Sequence, residues 1–316
     1  MNKGKRYKKK YKKKYKRDTI NKKKVFMVVA IIFAIIFCIF NDKEKKDIEV
    51  SNKKANTTTQ ELLTKAEPIE DEKIKKLIED VIAEKGLNNS NFAMFYYNKN
   101  QDKYYFHNED TYFKGASTVK MPVAMVYYDK IRNGEMTLED TITYTSECYE
   151  TGDGITDYTY SVGDEVPIKF LLEQSVFNSD NTAVNILVEN LGYENYRRQI
   201  ANYSDIELPE EFYETNITSA NYAYDVVNHL YENIDNYSGL IEDLKMSSEG
   251  KYLKKHLPNN DVAHKYGSYE GYVHDYGIVF GETNYLIGIF TKNIPNADEF
   301  IADTSLRIFN EVNKKE

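Results

Sequence analysis

Cysteine is close to absent from this chain: of 316 residues, only Cys38 and Cys148 carry thiols. Cys38 lies inside an uncharged apolar run, so Cys148 has no partner elsewhere, and a fold stapled by disulfides is excluded. Histidine is scarce as well. The five present make no His-Glu-x-x-His or other ligand spacing, so neither a metal nor another cofactor is expected. Tryptophan is missing altogether, while Lys, Asn, Ile and Tyr abound. That is the signature of a biased composition, and the 28 tyrosines carry no functional weight for that reason.

Charge is unevenly spread. Residues 1–24 hold fourteen Lys and Arg against Asp18 alone, a surplus of about +13, which leaves about −21 on the remainder. Next comes Val25–Phe40, an apolar run at the short end for a membrane-spanning helix. Flanking lysines can snorkel and make up the difference. A cleavable signal peptide is the competing reading, but Cys38-Ile-Phe-Asn lacks the small residues that cleavage needs. An uncleaved anchor is therefore expected, with 1–24 cytoplasmic and everything after Phe40 outside, in a single-pass membrane protein. Residues 41–67 are polar and read as a stalk. The basic tail reads as a topology signal that can also grip anionic lipid. An acidic outer domain is a poor nucleic-acid binder, and no nucleic-acid partner is expected.

Three short polar motifs follow in the domain at 68–316: Ser117-Thr-Val-Lys120, Ser179-Asp-Asn181 and Lys265-Tyr-Gly267. A serine hydroxyl needs an adjacent base to act as a nucleophile. Ser117 and Lys120 stand three apart at the head of an apolar run, on one face of an expected helix from 117 to about 131. Lys265, as a second cation, would hold the Lys120 amine neutral by like-charge repulsion. Ser-x-x-Lys alone is weak, since it recurs at Ser51/Lys54 and Ser248/Lys251. Ser179-Asp-Asn181 alone reads as a helix N-cap, and Lys265-Tyr-Gly267 alone as a strand running into a turn. Together and in this order they are hard to obtain by chance.

Hydrophobic spacing places a helix from Ile69 to Gly86, a hairpin at 91–97 and 103–107, and a mostly looped 141–166. A helical centre begins at Ile168, and another helix spans 217–234. Three strands at 262–268, 272–280 and 285–291 precede a last helix at 297–312. The fold class expected is α+β: an antiparallel sheet built from both chain ends, covered by helices, with an adjoining all-helical subdomain.

The phrases Phe113-Lys-Gly-Ala-Ser117-Thr-Val-Lys120-Met-Pro, Ser175-Val-Phe-Asn-Ser179-Asp-Asn-Thr-Ala and His264-Lys-Tyr-Gly-Ser268 resemble the penicillin-recognising serine hydrolases, specifically the class A β-lactamase-like group. The resemblance implies roles. Ser117 would be acylated, with Lys120 as its base or proton relay, and Ser179 would pass the proton to the leaving nitrogen. Asn181 would bind the substrate's side-chain amide, and Lys265 would attract its carboxylate. Backbone N–H groups of Ser117 and Ser268 would form the oxyanion hole, Gly267 would line the same strand, and Asp180 would order the loop. The chain departs from the family in two places. Tyr266 stands where Thr or Ser is usual. The segment after Asn181 is short, and Glu210, Glu211 and Glu214 lack the Glu-x-x-x-Asn spacing of the glutamate that activates deacylating water.

The function implied is a membrane-anchored, β-lactamase-like serine hydrolase acting on β-lactam amides, as a monomeric domain. A cell-wall DD-peptidase or penicillin-binding protein that acylates on D-alanyl peptides or β-lactams and deacylates slowly is the alternative. A signalling sensor is disfavoured by the short cytoplasmic tail.

Overall fold

The computed structural model describes residues 67–314, apart from 153, 248–250 and 259–260. The tail at 1–24, the apolar run at 25–40 and the stalk through residue 66 lie outside the described residues. Among the described residues, no helix is long and apolar enough to cross a membrane.

Strand β1 (Ile69–Glu70) leads into helix α1 (Glu72–Lys85), followed by β2 (Phe92–Asn98), β3 (Lys103–His107) and β4 (Phe113–Lys114). A 3-10 turn at Ala116–Val119 runs directly into α2 (Lys120–Arg132). Then come β5 (Thr141–Thr143), α3 (Thr156–Thr159) and β6 (Glu165–Pro167). Helices α4 (Ile168–Phe177), α5 (Asn181–Leu191), α6 (Tyr193–Ala201) and α7 (Glu210–Glu214) precede β7 (Ile217–Thr218). The chain continues with α8 (Ala220–Glu232), α9 (Ser238–Met246), β8 (Val262–Tyr269), β9 (Tyr272–Val279), β10 (Tyr285–Lys292) and α10 (Ala297–Val312).

The main sheet has the order β1-β3-β2-β10-β9-β8. The expected junction of the two chain ends is β2 against β10, antiparallel, with Phe95 opposite Gly288. Alternation along the strands sorts their side chains onto two faces. Phe92, Met94, Tyr96, Ile287 and Ile289 pack with Ile74, Ile78 and Val81 of α1 and with Phe300, Ile301 and Ile308 of α10. Ala93, Phe95, Leu286 and Phe290 pack on the other side with Val226, Val227 and Leu230 of α8. Each such aliphatic or aromatic side chain contributes roughly 1.5–3 kcal/mol by leaving water. Helix α1 forms here because Asp71 caps Lys73 N and Ile74 N at 3.1 and 3.2 Å, and Gly86, at φ 63°, ends it.

Three expectations are corrected. The sheet is mixed rather than wholly antiparallel. The chain enters alongside β3, where Ile69 N donates to Asp102 O and Asp71 N to Tyr104 O, so β1 pairs parallel to it. Nor is the subdomain all-helical, because β5 and β6 pair antiparallel within it. Their register is fixed by Thr141 and Thr143, whose hydroxyls both donate to the Glu165 carboxylate at 2.9 and 2.6 Å. The expected 217–234 helix also starts later than its hydrophobic spacing suggests. Residues 217–218 are taken by β7, which pairs with β4, and Ser219 then caps α8.

Helix α2 is the hub of the molecule. Eight consecutive residues, from Lys120 to Tyr127, are buried. A helix apolar all round belongs in an interior, and here the first of those buried residues is a lysine.

Strands β8 and β9 approach so closely that a Cβ on Gly277 would lie 2.0 Å from Ala263 O and 2.7 Å from His264 Cα. Both contacts are backbone, which cannot rotate away. Gly277→Ala should therefore lower the urea midpoint by an amount equivalent to about 2 kcal/mol or more. An unchanged midpoint would mean that the two strands can separate freely.

Candidate active site

Strand β8, at the edge of the sheet, carries Lys265 toward α2 and α5. Lys265 is fully buried, and its Nζ donates to Ser179 Oγ at 3.1 Å and to Tyr266 O at 3.1 Å. Lys120, 2% exposed, reaches the same serine from the other side. Its Nζ donates to Ser179 O at 2.5 Å, Asn181 Oδ1 at 2.7 Å and Ser179 Oγ at 3.3 Å. One hydroxyl thus accepts from two buried lysines and keeps its own proton free to donate.

Burial disfavours the charged form of an amine. It pushes Lys120 down to about 8, against the opposing pull of Asp180 and Glu150. Lys265 is held well below the ordinary lysine range by burial first and by Lys120 second, with Asp275 opposing. Burial is thus the larger cause of the depression in both amines, and the expected like-charge repulsion between them comes second.

The turn before α2 presents Ser117. Ala116, just before it, and Ser179 both have left-handed backbones, at φ 47° and 56°. For residues other than glycine such conformations cost about 1–2 kcal/mol each, and both flank the reacting groups. Ser117 lines a cavity of about 530 Å³ together with Lys120, Asn181 and Ser268. Its hydroxyl is not among the hydrogen-bond partners of Lys120. Gly267 lets β8 close on this turn: a Cβ there would sit 2.9 Å from Ser117 N and 3.0 Å from Gly115 O.

The structure therefore brings Lys120, Ser179, Asn181 and Lys265 into direct contact, with Ser117, Gly267 and Ser268 around them. Asp180 turns away from the cavity. Its carboxylate caps Ala183 N at 3.0 Å and accepts from Ile155 N, Thr156 N and Thr156 Oγ1 at 2.9, 2.9 and 2.7 Å. Tyr266 lies off the cavity wall, stacked on Tyr252 at 4.7 Å and 14°. Lys265 Nζ lies 4.1 Å from the centre of its ring. The loop glutamates stand apart. Glu210, Glu211 and Glu214 are all exposed, and of the three only Glu211 lines the cavity.

Two residues were not legible beforehand. Glu150 lines the cavity and accepts from Asn181 Nδ2 at 3.0 Å and Asn185 Nδ2 at 2.9 Å. Arg197 is buried with its Nε on Phe212 O at 2.6 Å and its NH2 on Thr215 O at 2.7 Å. Its guanidinium lies 4.1 Å over the Phe212 ring, and burial lowers its pKa. Arg197 thereby braces the short segment that walls the cleft, using carbonyls instead of a carboxylate.

A model of the β-lactamase enzyme family matches residues 72–312. The chain belongs to that family, and it is a serine hydrolase. No curated protein sequence matches it. Among solved structures, it is similar to PBP-A at 20% identity and TM-score 0.69, covering 80% of this chain and 100% of that one. A single-site variant of PBP-A, in an acyl-enzyme complex with penicillin G, gives 20% identity and TM-score 0.69 over 79% and 100% of the two chains. A β-lactamase from Sphaerobacter thermophilus gives 22% identity and TM-score 0.64, over 74% and 96%. At these identities the likeness is one of fold.

If neutral Lys120 takes the Ser117 proton, acylation should rise with pH and level off above about 8, because protonation below that value removes the base. Second-order labelling rates with a fluorescent penicillin between pH 6 and 10 would show this. A flat profile would place the base elsewhere.

Proposed function

We propose that this chain is a penicillin-binding serine peptidase, which acylates Ser117 with D-alanyl peptides or β-lactams and releases the acyl group slowly. The observation that carries the reading is the Ser179 hydroxyl held between Lys120 and Lys265 beside Ser117. Ser117 Oγ attacks the amide carbonyl carbon, and its proton passes to Lys120 Nζ. Ser179 Oγ gives its proton to the leaving nitrogen and is reprotonated from Lys120. The C–N bond breaks, and Ser117 holds the acyl group as an ester. A substrate carboxylate near Lys265 favours the charged form of that buried amine, so substrate and proton bind together. Water completes the cycle.

Slow release follows from the short segment at 210–217. Deacylation needs a base that positions water, and the exposed Glu210, Glu211 and Glu214 accept no hydrogen bond from Lys120. Fast β-lactam hydrolysis is the second reading, favoured by the presence of Glu211 in the cavity wall. The penicillin G acyl-enzyme of the PBP-A variant supports the substrate class by analogy of fold.

The apolar run at 25–40 is proposed as an anchor, with the domain outside the cell, on the strength of the basic flank alone. Full-length chain should remain in the membrane pellet after an alkaline carbonate wash; release into the supernatant would remove the anchor. With a chromogenic cephalosporin, the domain should give one equivalent of colour in a burst and then nearly stop. Sustained turnover would establish the β-lactamase reading instead.

A further inference from the structure

The cavity does not end at Ser117. It continues along one face of α5, where Asn181, Val184, Asn185 and Val188 recur at helical spacing, and it reaches Tyr193. Val184 and Val188 are each 7% exposed and make an apolar floor. At the Asn181 end stands Glu150, fixed twice over. Its carboxylate oxygens take separate amides, from Asn181 at 3.0 Å and Asn185 at 2.9 Å. Its main chain is docked on Thr182, whose Oγ1 accepts from Glu150 N at 3.1 Å and lies 3.1 Å from Glu150 O.

Neither amide neutralises the carboxylate, and among the described residues Glu150 forms no salt bridge. The cations nearby are committed. Lys114 pairs with Glu270, and Lys120 is buried on Ser179 and Asn181. Glu211, exposed in the wall formed by the short segment, adds a second carboxylate. The trough is thus apolar along its floor, and Glu150 and Glu211 both lend it carboxylates. One hydrogen of Asn181 Nδ2, the donor that would hold a substrate's amide oxygen, is already directed at Glu150.

We infer that Glu150 is a specificity residue that selects acyl donors bearing a primary ammonium on the acyl side of the scissile bond. The inference rests on the acyl-transfer reading above. An ammonium seated between Glu150 and the α5 floor would take up the free lone pairs of a carboxylate already held in place. A neutral or anionic acyl side chain would leave that carboxylate unmatched and would meet it as a repulsive or desolvated group.

The test compares two penicillins that differ only in that group, aminobenzylpenicillin and benzylpenicillin, at pH 6.5, where an α-amine is protonated. Acylation rates would be read by intact mass. The wild-type domain should acylate with the amino compound about fivefold faster or more, the scale of one charge pair in a partly solvated site. Glu150→Gln should bring the ratio close to one. Where that variant labels with neither compound, the wild-type ratio at pH 9, with the amine neutral, takes its place and should likewise fall close to one. Equal wild-type rates at pH 6.5, or a ratio that survives both changes, would overturn the inference and leave the acyl-transfer reading standing. No labelling by either penicillin would remove that reading, and this inference with it.

Discussion

The structure depends on one hydroxyl shared by two buried lysines. Ser179 Oγ lies 3.3 Å from Lys120 Nζ and 3.1 Å from Lys265 Nζ. Two ammonium ions this close in an interior cannot both be charged without a large cost. Burial lowers both amines, Lys120 to about 8 and Lys265 well below the ordinary lysine range, and Lys120 lines the same cavity as Ser117. The chemistry follows from packing: Lys120 to Tyr127 are all buried, so the amine at the head of α2 meets the cavity with little water around it to stabilise its charge.

Keeping that arrangement requires a close fit at three points. Gly267 brings the edge strand against the backbone of the nucleophile turn, with room for no side chain. Left-handed Ala116 and Ser179 aim the two serines at values of φ that free chains avoid. Asp180 ties the head of α5 to the 155–156 loop, so Ser179 and Asn181 cannot drift. Strain of this kind persists only where the surroundings over-determine it, and the buried layers on both faces of the sheet supply that constraint. The short 210–217 segment, braced by Arg197 on backbone carbonyls, forms part of the wall of the cavity that runs along α5.

Much of this was legible in the sequence. Ser117, Lys120, Ser179, Asn181 and Lys265 sit in contiguous motifs whose spacing reports local geometry, and the long strands and helices announce themselves by hydrophobic period. The remainder was hidden for identifiable reasons. Two- and three-residue strands such as β1, β5 and β6 are too short to show a period, and their pairing direction depends on where distant chain arrives. Helix α6 is mostly polar on its surface and carries too few apolar residues to stand out. Glu150 and Arg197 were missed because their partners are side-chain amides and backbone carbonyls, which leave no complementary charge in the sequence. The larger part that burial plays in lowering Lys120 was likewise hidden, because a sequence shows a nearby like charge more readily than it shows burial.

Peptide mapping of the domain after brief exposure to benzylpenicillin tests the central claim most directly. A single penicilloyl adduct is expected, on the peptide that contains Ser117, still present after excess penicillin is removed. An adduct on Ser179 or elsewhere, or no adduct at any time, would contradict the assignment of Ser117 as the nucleophile served by the two lysines.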